Sequence, residues 1–92
     1  MHTEVRNHIL YLSQVVTVNT VTDEAYEAFM RCLREDVHTV DLSAVGEADS
    51  ACVALLIAAL REKKQQHVHF VGIPSGLAQL MTLYEVDKWI KP

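Results

Sequence analysis

The groups able to do chemistry in this chain are five histidines, two cysteines, and acids and serines that include an Asp-Ser pair ahead of an apolar run. A zinc centre needs at least three protein ligands at workable spacing. His67 and His69 share one face of a strand, since strands repeat every two residues, but no third ligand of fixed spacing accompanies them. His38 falls within a strand edge. Solvated or hydrogen-bonded imidazoles, and no metal, are therefore expected. Cys32 and Cys52 lie far apart without a CxxC spacing, and a disulfide framework in so short a chain would use more cysteines. Both read as buried thiols in a reducing cytosol. No GxSxG elbow surrounds Ser50. The run Gly72-Ile73-Pro74-Ser75-Gly76 lacks the GK[ST] ending of a phosphate loop. No catalytic residue, no nucleotide and no other cofactor is expected, so an enzyme is not.

The informative segment runs Val40-Asp41-Leu42-Ser43-Ala44-Val45-Gly46-Glu47-Ala48-Asp49-Ser50. A hydrophobic strand ends in Asp-Leu-Ser, a short loop follows, and Asp-Ser opens a helix. Two readings are open. Asp49 or Ser50 is an N-cap, satisfying orphan N–H groups for about 1 kcal/mol. Alternatively, Ser50 exposes a hydroxyl at the positive end of a helix, ready for phosphorylation or for donation to a partner. A phosphate there gains from the helix dipole but is repelled by Asp49.

Elements that position these residues follow from periodicity. Residues 8–12 and 15–18 are rich in Val, Ile, Leu and Tyr and read as one or two strands. Thr20 and Thr22 precede Asp23, Glu24 and Glu27, as suits a helix N-terminus. Tyr26, Phe29, Met30 and Leu33 then make one buried stripe, and Arg31 and Arg34 sit near the helix end. Residues 37–42 form the next strand and 43–49 a loop. Residues 50–64 form a second helix with a Val53, Leu56, Ile57 and Leu60 stripe. Residues 67–71 are a strand broken by Gly72 and Pro74. Ser75 can cap a third helix, with Leu77, Leu80, Met81 and Tyr84 as its stripe. Residues 86–90 are a short tail able to dock back. The order β(β)αβαβα predicts an α/β fold, parallel in its later part, with helices over one or both sheet faces.

The second helix carries more apolar surface than one core face requires. Beside its stripe, Cys52, Leu55 and Ala59 form another apolar strip. A helix apolar all round is either buried or covered by a partner, and both a neighbouring helix of this chain and a partner protein fit. The whole chain agrees with this excess: 92 residues are 50% hydrophobic, against about 45–50% for an ordinary domain. That length predicts a single domain over residues 1–92. The longest apolar run, residues 51–60, is half the ~20 residues a spanning helix needs, so no membrane insertion is expected. Eight basic against twelve acidic residues give a net charge of −4, which disfavours nucleic acid as a partner. Residues 1–7 show neither signal-peptide nor lipidation pattern, and a cytoplasmic location is expected.

In order and spacing, Asp41-Leu42-Ser43, Asp49-Ser50, an apolar helix, a strand ending in Gly72, and Leu77-x-x-Leu80-x-x-Leu83 resemble the STAS domain family. The resemblance covers nearly the whole chain, most clearly residues 37–86. It implies a mixed sheet with helices packed against it. Two branches fit a domain of this size. In anti-sigma factor antagonists, the serine after the aspartate is phosphorylated by an anti-sigma kinase. In the cytoplasmic STAS subunit of the Mla phospholipid ABC transporter, that position lies in the contact with the ATPase subunit. Ser50 maps onto it in both. The ending Gln79-Leu80-Met81-Thr82-Leu83-Tyr84-Glu85-Val86 is similar to the Leu-Tyr-x-Leu of Mla subunits, where antagonists more often carry Gly-Leu or Gly-Val. Asp49-Ser50 is followed by Ala51 and Cys52, whereas antagonists usually continue Ser-Gly; Mla subunits usually have Thr-Gly after the aspartate, where this chain has Ser50-Ala51. A glycine usual after the first core strand is missing around Ser13 and Gln14.

The resemblance thus implies a non-enzymatic adaptor peripheral to the inner membrane. It would dock on an ABC ATPase through Asp49, Ser50, Cys52 and Leu55, with Ser75 and Gln79 on the third helix flanking. The alternative is a phospho-switch acting through Ser50 on an anti-sigma factor kinase.

Overall fold

A computed structural model of the chain describes residues 1–63 and 68–86. The described elements are β1 (His2–Arg6), β2 (Ile9–Val16), α1 (Asp23–Leu33), β3 (Thr39–Ala48), α2 (Ser50–Glu62), β4 (His69–Val71) and α3 (Ser75–Leu83). The strands form one sheet in the order β1-β2-β3-β4. β1 pairs antiparallel with β2, and the pairs β2–β3 and β3–β4 are parallel. The expected α/β fold, a mixed sheet with three helices, is the one adopted.

Both parallel crossovers step across the sheet in the same direction, and right-handed connections then put their helices on the same face. Burial agrees. Leu10, Leu12, Val40, Leu42 and Phe70 are fully buried, while their strand neighbours Ile9, Tyr11, Thr39, Asp41 and His69 are only partly covered or exposed. The core therefore lies between one sheet face and the helices. On the open face, the Arg6 guanidinium lies 4.5 Å from the centre of the Tyr11 ring.

Two strand boundaries differ from expectation. The first strand is His2–Arg6, and residues 9–16 form one continuous strand. β1 is too polar to announce itself, because only Thr3 and Val5 turn inward. Asn7 and His8 turn the hairpin with φ of 53° and 68°, the left-handed pair that a two-residue primed turn needs. β3 continues through the segment expected to be a loop. The register passes from Tyr11↔Asp41 to Ser13↔Ala44, and from Gln14↔Val45 to Val15↔Glu47. Each step puts one extra residue into β3. The buried positions accordingly fall at Val40, Leu42 and Val45, and the broken alternation hides a strand from a period-two reading.

α1 starts at the acids Asp23 and Glu24 as expected, and its cap is Thr22, whose hydroxyl accepts from the Ala25 N–H at 3.2 Å. Phe29, Met30 and Leu33 are buried, but Tyr26 at the start of the stripe is partly exposed. In α3, Leu77 and Met81 are buried and Leu80 is half-buried, whereas Tyr84 is half exposed. Ser75 does not cap this helix; Pro74 holds the cap position without a side-chain bond, so Ser75 is the first helical residue. Of the segments expected at the chain's later turns, residue 67 and the tail beyond Val86 lie outside the described residues, while Val86 itself is buried.

Candidate functional site

Asp49 and Ser50 lie where β3 passes into α2. Asp49 takes the N-cap position with extended backbone. Its Oδ1 accepts from the Ala51 N–H at 2.8 Å and its Oδ2 from the Val18 N–H at 3.0 Å. The Asp49 N–H donates to the Val16 carbonyl at 3.3 Å. The carboxylate thus ties the start of α2 to the loop that follows β2. Ser50, next in line, is exposed at the first position of α2. Of the two capping readings, Asp49 is the cap and Ser50 is the hydroxyl free to face outward.

The second apolar strip of α2 requires a correction. Cys52 and Ala59 are 0% exposed and Leu55 is 1% exposed. They belong to the core, together with Val53 and Leu56. The reason is that α2 packs against both α1 and α3, so its inner arc is wider than one stripe. Cys52 cannot touch a partner in this conformation. Its thiol is pushed up to about 12, chiefly by burial and secondarily by the Asp49 carboxylate, which makes it inert. Burial, then Glu35, also raises the Cys32 thiol, against the opposing effect of Arg31.

The outward arc of α2 is instead formed by Ser50, Ala51, Ala54, Ile57, Ala58 and Arg61, exposed or half-buried. It borders a groove of about 530 Å3 shared with the β2–α1 loop and α1. Val18, Val21, Tyr26 and Met30 form the opposite wall, and Leu55 lies at the floor. Val18 is 72% exposed, an unusual setting for valine at the rim of an apolar groove. At the far end of the groove, Glu62 is held by Arg34 of α1 at 2.8 Å, while Arg61 is exposed.

Ser75 and Gln79 are exposed on α3, but no residue of α3 is among the described residues lining this groove. The structure brings together Asp49, Ser50 and the outward arc of α2, and leaves Ser75 and Gln79 outside it. Val18 and Tyr26 escape a reading by sequence. Val18 sits in a polar Thr-Val-Asn-Thr turn, and Tyr26 scores as core by its spacing.

Asp41 and Ser43, the other part of the Asp-Leu-Ser segment, serve the backbone. Asp41 Oδ1 accepts from the Ser43 N–H at 2.8 Å and from its hydroxyl at 2.5 Å. Gly72 lies directly against this turn: a Cβ there would stand 2.7 Å from the Ser43 Cβ and 2.8 Å from its nitrogen. Among the described residues no group of three or more His, Cys, Asp and Glu side chains is arranged to hold a metal ion, and no helix is long and apolar enough to cross a membrane.

A sequence profile described as "Mlab, STAS domain" matches residues 12–92. No curated protein matches the chain at a significant level. Among solved structures, the chain is similar to the anti-sigma factor antagonist SpoIIAA in its unphosphorylated form, with a TM-score of 0.70 at 12% identity, covering 97% of this chain and 84% of that one. At that identity the likeness concerns the fold.

Proposed function

This chain belongs to the STAS domain family, and on that premise we propose that it is a non-enzymatic adaptor for the cytoplasmic ATPase of a phospholipid-transporting ABC complex, of the kind that maintains outer-membrane lipid asymmetry. One observation carries the reading: an exposed serine at the start of α2 adjoins an apolar groove along the same helix. The family description adds the Mla branch. The partner surface comprises Ser50, Ala51, Ala54 and Ala58 of α2 with Val18 and Tyr26 opposite. Ser75 and Gln79 would meet the partner only if its footprint extends over α3. The single domain would sit in the cytoplasm, at the membrane only through its partner, and would regulate the ATPase by binding one of its states better than another.

The test is co-purification with the transporter ATPase and measurement of its turnover. Ser50→Arg and Ala54→Arg add bulk and charge at exposed positions. Both are expected to abolish capture and the effect on ATPase rate while leaving the fold intact. Unchanged capture by both variants overturns the reading.

A second reading keeps the same surface. The fold similarity to SpoIIAA and the exposure of Ser50 support a phosphorylation-switched antagonist of an anti-sigma factor. Ser50→Asp would then abolish partner binding while Ser50→Ala preserved it. Native protein that never carries phosphate and recovers no kinase rules this out.

A further inference from the structure

The Asp49 carboxylate divides its two oxygens between distant parts of the chain. Oδ1 makes the ordinary N-cap bond to the Ala51 N–H, and Oδ2 reaches the N–H of Val18, 31 residues earlier. Bonds within the turn shape the loop around Val18. The Thr20 hydroxyl accepts from the Thr17 N–H at 2.9 Å and donates to the Val15 carbonyl at 2.8 Å. The N–H groups of Thr20 and Val21 both donate to the Thr17 carbonyl at 2.9 Å. None of these ties the loop to α2. The Val18 side chain, 72% exposed, has little core contact to hold it in place, yet it forms the outer wall of the groove.

We propose that Asp49 is a positioning residue whose second oxygen holds the Val18 wall against α2, so that the shape of the groove depends on this hydrogen bond. Partner affinity then follows the loop's position and not a contact between the carboxylate and the partner. The consequence for binding rests on the docking reading given above; the latch itself does not.

Asp49→Asn separates the two bonds. Asparagine caps helices about as well as aspartate, but its amide has one acceptor oxygen where the carboxylate has two. With the cap retained, the Val18 N–H loses its acceptor. Its amide hydrogen exchange should quicken about tenfold, the effect of losing roughly one net hydrogen bond. Capture of the transporter ATPase by the full chain should weaken by about the same factor. Val18→Ala, which trims the wall and keeps the N–H bond, should weaken capture without altering exchange in the loop. Unchanged exchange at residue 18 in Asp49→Asn overturns the latch, and does so even if capture falls, because the carboxylate would then be touching the partner directly. Faster exchange with full capture, in a protein whose Ser50→Arg variant no longer binds, also overturns the proposal. If exchange quickens and neither Asp49→Asn nor Ser50→Arg affects capture, the latch is supported and it is the docking reading that fails.

Discussion

Gln14 and Glu85 hold left-handed backbone conformations, with φ of 71° and 59°, that cost an L side chain roughly 1–2 kcal/mol. Gln14 stands at a register shift between β2 and β3. Glu85 closes α3: its N–H donates to the Thr82 carbonyl at 3.1 Å, and the Val86 N–H donates to the Met81 carbonyl at 2.9 Å. That is the Schellman pattern, whose left-handed position favours glycine. Gln14→Gly and Glu85→Gly should each stabilise the protein by about 0.5–1 kcal/mol, read as a higher urea midpoint at unchanged slope. Gly72 is the opposite case. It combines a φ of 67° with backbone atoms of Ser43 under 3.0 Å from where a Cβ would lie. Gly72→Ala should therefore cost about 2 kcal/mol or more. Cys52 supplies a pH test. In the unfolded chain its thiol ionises near the ordinary 9.0, and in the fold only at about 12. Between those values the unfolded state has lost a proton that the native state keeps. Stability should therefore fall as pH rises through this window, by up to about 1.4 kcal/mol per pH unit, and be unaffected by this group below it. Urea midpoints measured from pH 7 to pH 10.5 should show a shallower decline in Cys52→Ala than in the parent chain.

At the scale of the element, α2 explains why its sequence reads as apolar all round. Its inner arc meets the sheet and both neighbouring helices, while small residues occupy most of its outer arc. The two arcs should respond differently to the same change. Ala54→Arg is expected to alter stability by less than about 0.5 kcal/mol, as for most exposed positions. Leu55→Arg, one residue on, buries a charge with no partner and should prevent folding. Thermal melts and near-ultraviolet circular dichroism of the two variants distinguish this placement from the reverse one. β3 makes a related point. Two extra residues interrupt its alternation, yet β3 stays paired to the end of β2, where Ala48 lies opposite Val16 and Asp49 meets Val18.

For the molecule as a whole, the two faces of the sheet are unequal. Among the described residues one is covered by helices, and the other carries Glu4, Arg6, Tyr11, Thr39, Asp41 and His69, exposed or half-buried. The net charge is −4, and anionic lipid carries a negative surface potential that attracts basic and repels acidic surfaces. The isolated protein should therefore not co-sediment with phosphatidylglycerol vesicles at physiological salt. If the proposed adaptor role holds, it should do so only when a transporter complex is reconstituted in them. Sedimentation of the protein with lipid alone would contradict an attachment made only through a partner.

Local and periodic signals are enough to read all three helices, the parallel later part of the sheet, the acidic start of α1 and the opening of α2 at Asp49-Ser50. Those features depend on hydrogen bonds between near neighbours or on a regular apolar repeat, both of which are written along the chain. The polar strand β1 and the second half of β3 were not readable in that way. β1 exists because it pairs with β2 across the Asn7-His8 turn, and the second half of β3 because β2, far earlier in the sequence, pairs with it. The same holds for the candidate site. That Cys52 and Leu55 face inward, that Ala54 faces outward, and that Val18 stands across from them follow from how α2 is rotated between α1 and α3. Helix rotation is a property of packing: the same apolar residues satisfy more than one orientation until their neighbours are in place.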